Sequence, residues 1–426
     1  MQRADQEGTS NVTRLSDYEK ELLAGQHGEP RKWAKEMLLK VARIFDAEDM
    51  VEVTQVHLMA DTEATGEEGV RFVEWIGSHP SAQSRVIIPT VTDPRGADFD
   101  AYKRVKQDER IVELERRADA AFRKIGIMMT DTCINYQTIN PPVRGEHLAF
   151  GDTGSTIYAN SVLGARTNFE GGPSALAAAL TGRVPRYGFH LDRCRRGSTR
   201  FVVERRPKDW SEWGALGGII GRDMRSYWQV PVIEGIEGVV TSDELKHFGA
   251  ALASFGSTPL FHMVGVTPEA PDLASVFDGA PPEPRRIGKA DFDRFFADYG
   301  PKGDKLDVVV FSAPQLSLFE IEALAKLLDG RKVSKDVTLI ACTSPEMKTA
   351  ADRMGLTASI EGAGGVLLKG VCFYQMHARE IGTANGWKTL MSNSAKIINI
   401  LGGYGYDTHL ADMATCVEAA VKGRIG

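Results

Sequence analysis

The C-terminal part of the chain repeats one unit that narrows the choice of fold sharply: a short, almost wholly apolar run followed by an amphipathic helical segment. LDVVVFSAP at 306–314 precedes LSLFEIEALAKLLDG, VTLIACTS at 337–344 precedes PEMKTAADRMG, and AGGVLLKGVCF at 363–373 is followed by WKTLMSNSAKIINILGG. A strand apolar on both faces must be covered on both. Helices between such strands supply the cover and force parallel pairing. The pattern therefore predicts an α/β fold with parallel layers. The N-terminal part carries the same alternation less cleanly. VEVTQVHLM reads as a strand, EEGVRFVEWIG as a helix, SRVIIPTVTDP as a short apolar run, 101–126 as a charged helix closed by Gly126, and IGIMMTDTC as a buried strand running into a loop with Cys133.

Ser16 with Glu19 forms a capping-box pattern at the first helix, and Gly25 can close it. The middle mixes FVVERR, WQVPVIEG and PLFHMVGV with a helix near DELKHFGAALASFG, and APPEPRRIG at 280–288 is the best boundary. This divides the chain into 1–285 and 286–426.

At 426 residues the chain suits two or three domains or one large one. Its 51 basic and 57 acidic residues, net charge −6, show no basic tract, which argues against nucleic acid as the main partner. No apolar run reaches the roughly 18–20 residues of a membrane span. The polar, acidic N-terminus has no signal-peptide character, so the expected location is cytoplasmic. Five widely spaced cysteines do not form a disulfide framework.

The densest chemical signal runs from Asp152-Thr153-Gly154-Ser155-Thr156 to Gly171-Gly172-Pro173. Glycines admit close backbone approach, and a helix start offers unpaired N–H groups to an anion. Arg166 can grip a carboxylate in bidentate fashion, with Thr167 and Asn168 as neutral donors. The alternative is a structural turn with Arg166 in an ion pair. A second signal is that Cys133, Cys342 and Cys372 fall near expected strand ends, where ligands gather in α/β sheets. Such cysteines are also common as buried small hydrophobes. His57, His147, His190 and His262 lie in apolar or strand-like segments, where packed histidines are usual. HExxH, GxSxG and the Walker A pattern are absent.

The block YANSVLGARTNFEGGPSALAAALTGRVPRYGFHL at 158–191 resembles the large, catalytic subunit of the aconitase X family. The likeness continues through IIPTVTDPRGADF, FHMVGVTPEAP, the CTS of 342–344 and SNSAK at 392–396. It implies an aconitase-type three-layer α/β/α catalytic region without the swivelling small domain. It further implies a dehydratase with an iron–sulfur cluster and a separate small subunit, because the chain ends at Gly426. The implied metal ligands are Cys133 and Cys372, with Cys342 also at a family position. The family's Gly-Cys-Pro-His-like motif reads Ser312-Ala313-Pro314-Gln315 here, so one cysteine and one histidine are missing. Near His57 the chain reads Leu58-Met59-Ala60-Asp61-Thr62, another departure, in a region expected to line the substrate pocket.

On this resemblance Ser155, Thr156, Asn160 and Lys396 are the expected catalytic residues. His57, Asp152, Arg166, Thr167, Asn168, Gly171, Gly172 and Ser394 are the expected substrate-binding set. The implied substrates are cis-3-hydroxy-L-proline, which the GDTGST loop favours, or a mevalonate phosphate. The reading from another class is a small-acid-binding homologue without catalysis that has lost a cluster ligand.

Overall fold

The computed structural model describes residues 13–426; the polar N-terminal reading falls partly on residues 1–12, outside the described residues. The C-terminal repeat builds a five-stranded parallel sheet in the order Val366–Lys369, Thr338–Thr343, Val308–Leu316, Thr389–Ser392, Asp407–Leu410. The strand that comes first in sequence lies in the middle. Growth proceeds outward on one side and then on the other, so the order reverses between Val308–Leu316 and Thr389–Ser392. In open α/β sheets such a reversal opens a crevice at the strands' carboxyl ends.

Alternate residues of these strands enter separate cores. Val309, Phe311, Leu339 and Ala341 pack with Ile321, Leu324 and Val417 on one face. Val308, Val310, Ile340 and Cys342 pack with Trp213, Phe248 and Ile397 on the other. Both faces are thus covered by helices, the three-layer arrangement expected.

The second core also receives the middle of the chain, whose four-stranded parallel sheet runs His262–Met263, Pro231–Glu234, Thr199–Val203, Arg285–Ile287. Its helices Trp210–Asp223 and Ser242–Gly256 lie in close contact because of glycine. A Cβ at Gly217 would come 2.2 Å from the Phe248 carbonyl oxygen.

The N-terminal sheet is a parallel trio, Thr90–Thr92, Val56–Leu58 and Ala149–Phe150, lengthened by bridges from Val91 to Met128 and from Phe150 to Phe169. Two expected elements differ. The segment 51–59 is two strands: Met50–Glu52 pairs antiparallel with Arg183–Pro185, and only Val56–Leu58 enters the trio. IGIMMTDTC forms no strand beyond the single Met128 bridge. Threonine side chains replace the ladder there: Thr92 Oγ1 accepts from the N–H groups of Thr130 (3.0 Å) and Asp131 (3.1 Å), and Thr130 Oγ1 accepts from Thr92 N (3.1 Å). Such local bonds compete with regular pairing. The Ser16–Glu19 capping box is present. Among the described residues no helix is long and apolar enough to cross a membrane.

Candidate active site

The carboxyl ends of the N-terminal trio and of the five-stranded sheet face each other, and Gln315 stitches them together. Its side-chain Nε2 donates to the carbonyls of Asp131 (3.2 Å), Thr343 (3.2 Å) and Val371 (3.0 Å). Its Oε1 accepts from Cys133 N at 3.2 Å, and its own N–H donates to Cys133 Sγ at 3.4 Å. The Gln315 carbonyl accepts from Lys246, which is buried against Asp243 and Glu320. Gln375 makes a second seam, donating to Asp93 Oδ2 (2.7 Å) and Asp61 Oδ2 (3.1 Å).

Lys396 and Asp152 form the charged centre. Lys396 lies in the first turn of helix Ala395–Gly402, just past the strand-order reversal. Asp152 caps helix Thr153–Ser161, one oxygen accepting from Ser155 N at 2.7 Å. The other oxygen lies 3.4 Å from Lys396 Nζ, which also donates to Thr153 Oγ1 at 3.3 Å. Both side chains are buried. Burial disfavours each charge. The Asp152 carboxylate nevertheless keeps the Lys396 ammonium's pKa above its ordinary value, and Lys396 with His57 holds the Asp152 carboxyl below its own.

Asp93 behaves oppositely. Burial, then the neighbouring Asp152, push its carboxyl well above the ordinary value. Burial and then Glu115 raise Asp61 to about 7. Burial lowers His57, whose Nε2 donates to the Thr132 carbonyl at 2.8 Å, leaving Nδ1 as a lone pair. Asp93 Oδ1, His57 Nδ1 and Gln375 Oε1 are buried without hydrogen-bond partners. Buried polar atoms are normally paired, so a group of orphans marks where a ligand would complete the bonding.

The three implied cluster cysteines gather beside this centre. Cys133 and Cys372 are neighbours, and Ser312 Oγ, close to Cys342, lies 3.4 Å from Cys372 Sγ. All three are buried; the neighbouring Cys372 and burial push the Cys133 thiol well up, and burial pushes Cys342 up to about 12. The missing family cysteine leaves Ala313, which has no donor atom. Iron–sulfur clusters are held by cysteine thiolates, so this chain's own donors to one would be Cys133, Cys372 and Cys342. The three sulfurs are not all within 4.8 Å of one another, so a single ion does not span them as placed.

Other expected site residues lie elsewhere, and their polar atoms are consumed by the fold. Residues 166–169 run parallel to 147–150, so Arg166 sits beside His147 at the amino end of the strand, away from Asp152 at its carboxyl end. Arg166 donates to the His190 carbonyl at 3.1 Å and pairs with Asp192. It lines a cavity with Arg144, Arg195 and Glu269, not with the cysteines. The side chain of Asn160 is bonded to the backbone of Thr167 and Pro259. The Asn168 side chain bonds the backbone of Tyr187 and Phe189. Thr167 Oγ1 donates to the Asn168 carbonyl and accepts from Phe150 N, while Thr156 Oγ1 donates to the Phe150 carbonyl. The conspicuous Arg-Thr-Asn block is a structural clasp. Gly171 and Gly172 border apolar cavities rather than the charged centre.

Ser155 and Ser394 act as supports. Ser155 Oγ donates to Asn135 Oδ1 (2.8 Å) and lies 3.3 Å from the Cys133 carbonyl, and Ser394 caps the Lys396 helix while donating to the Ala313 carbonyl at 2.5 Å. Asp93 and Gln375 are not among the expected site residues, and Asp61 and Gln315 stand out in the sequence only as departures from the family pattern. The signal available was position: Asp93 ends a short apolar run at Asp-Pro, and Gln375 follows Cys372 by three residues.

Parallel sheets meeting at their carboxyl ends around a buried lysine, buried carboxyls and thiols have the form of an α/β enzyme site. Comparison with known proteins is then specific. Family models of the first, second and third domains of aconitase X match residues 12–193, 197–297 and 306–422. A cis-3-hydroxy-L-proline dehydratase of Pseudomonas aeruginosa is 32% identical over 416 residues, 96% of this chain and 70% of that one. A phosphomevalonate dehydratase large subunit of Methanothermobacter thermautotrophicus is 33% identical over 394 residues, 91% of this chain and 94% of that one. The crystal structure of aconitase X from Thermococcus kodakaraensis, in its holo-form, superposes with a TM-score of 0.85 at 27% identity, covering 96% of this chain and 100% of that one. The chain belongs to the aconitase X family and is a hydro-lyase of the aconitase superfamily.

Proposed function

We propose that the chain is the large subunit of a heteromeric dehydratase that removes water from a small hydroxy acid by β-elimination, with cis-3-hydroxy-L-proline giving Δ1-pyrroline-2-carboxylate as the favoured reaction. The supporting observation is the buried Lys396–Asp152 pair beside the unpartnered Asp93 Oδ1 and His57 Nδ1, all at the crevice between two sheets. Relatives named hydroxyproline dehydratases and phosphomevalonate dehydratases support the elimination in equal measure, and mevalonate phosphate is the second substrate.

In this reading Lys396 holds the substrate carboxylate and stabilises the charge that develops as the α-proton leaves. His57 Nδ1 accepts a hydrogen bond from the substrate's polar group. Asp93 donates its proton to the departing β-hydroxyl, which leaves as water, and a carboxyl whose proton is held more tightly because of burial suits that task. The acceptor of the α-proton lies on the small subunit, a partner supported by relatives named large subunit. An iron–sulfur cluster would be held by Cys133, Cys342 and Cys372, and when bound it supplies Lewis acidity toward a hydroxyl oxygen. Gln315 fixes the Cys133 and Val371 loops.

The test is turnover by the chain purified anaerobically with its small subunit. The expected result is water loss from cis-3-hydroxy-L-proline and none from the trans isomer. Turnover of mevalonate phosphate alone replaces the substrate, and tight binding of a hydroxy acid without turnover favours the non-catalytic homologue.

A further inference from the structure

Outside the charged centre, a cavity of about 410 Å³ opens between the N-terminal and middle parts of the chain, walled by Phe45, Phe169, Tyr187, Tyr227 and Trp228 with Glu170 beside them. Phe45 and Trp228 are 41% and 44% exposed, so the cavity reaches solvent. The rings meet at steep angles: Tyr187 and Trp228 lie 6.5 Å apart at 73°, Phe45 and Trp228 6.0 Å apart at 74°, and Tyr227 and Trp228 4.8 Å apart at 86°. Phe45 and Tyr187 stack on each other at 4.3 Å and 6°, and Trp228 stands edge-on to both, so the rings present both faces and edges to the cavity.

Glu170 is 1% exposed, and its Oε1 has no hydrogen-bond partner. No lysine or arginine lines the cavity. A carboxyl buried without a cationic partner is costly to keep charged, and burial indeed raises its pKa. A cation entering the cavity would offset that cost, while the negative faces of the surrounding rings would attract it. Anions and neutral polar molecules gain nothing comparable there. None of Cys133, Asp93, Asp152 or Lys396 lines the cavity, so the site is separate from the proposed chemistry.

We propose that this aromatic cavity binds a small organic ammonium ion, with Glu170 as the counter-charge. The test is isothermal titration calorimetry of the full chain with tetramethylammonium chloride at constant ionic strength. Neopentanol, an uncharged molecule of similar shape, is the comparison. Saturable binding of tetramethylammonium is expected, at least tenfold tighter than neopentanol. Glu170→Gln and, separately, Trp228→Leu should each weaken it about tenfold or more. Trp228 is half exposed, so its variant keeps the test decisive if Glu170→Gln fails to fold. No saturable binding by the wild-type chain, equal binding of neopentanol, or unchanged affinity in Trp228→Leu would each overturn the proposal.

Discussion

Replacing Lys396 by Met should expose how the charged centre is balanced. Nζ lies 3.4 Å from Asp152 Oδ1, and both side chains are buried. At an effective dielectric of about 20, this separation corresponds to about 5 kcal/mol of attraction. Removing one partner of a buried pair typically costs about 3–5 kcal/mol, because the other charge is left uncompensated. In the wild type the Asp152 carboxyl lies below its ordinary value, so the pair's contribution is present above about pH 4 and fades as pH falls through the lower folded value. In Lys396→Met only the raising effect of burial dominates, Asp152 rises, and the deficit shrinks as pH falls and the carboxyl takes a proton. Urea unfolding followed by circular dichroism should therefore show a loss of about 3–5 kcal/mol at pH 8 and a smaller loss at pH 5. Adding Asp152→Asn, which can still cap the helix, should recover most of it. A loss below about 1 kcal/mol at pH 8, or a double variant no more stable than Lys396→Met, would refute the reasoning.

Asp93→Asn should leave the fold intact, since burial already disfavours the charged carboxyl, yet lower kcat by roughly 10²–10⁴-fold in the turnover assay with the small subunit. Arg166→Met should lower stability by about 1–3 kcal/mol in urea titrations while changing KM less than about twofold, because its partners are His190 and Asp192. Asp61, raised to about 7 in the folded chain, destabilises progressively as pH rises from about 4 to 7; Asp61→Asn should flatten that limb by about 4 kcal/mol, read as unfolding free energy against pH. Iron analysis after anaerobic purification should show Cys342→Ala and Cys372→Ala depleted, while Cys416→Ala, a thiol beside the Ala411 carbonyl, retains the wild-type iron.

The sequence by itself determined the parallel α/β framework. Apolar runs such as VVVF and TLIAC must be covered on both faces, and the helices between them leave parallel pairing as the solution. Local pattern also singles out Cys133, Cys342, Cys372 and Asp152 as candidates, whereas Lys396 is expected only through the family resemblance of SNSAK. Only the tertiary structure decided which of these meet. Arg166 belongs to the densest polar motif, yet parallel pairing of 166–169 with 147–150 sets it at the amino end of the strand and turns the motif into a clasp. Asp93 and Gln375 carry no motif, yet the facing of two sheets brings them to 2.7 Å. Strand and helix formation depend on near neighbours in the chain, whereas a charge's protonation and a side chain's partners depend on what is buried beside it. That is set by contacts hundreds of residues apart.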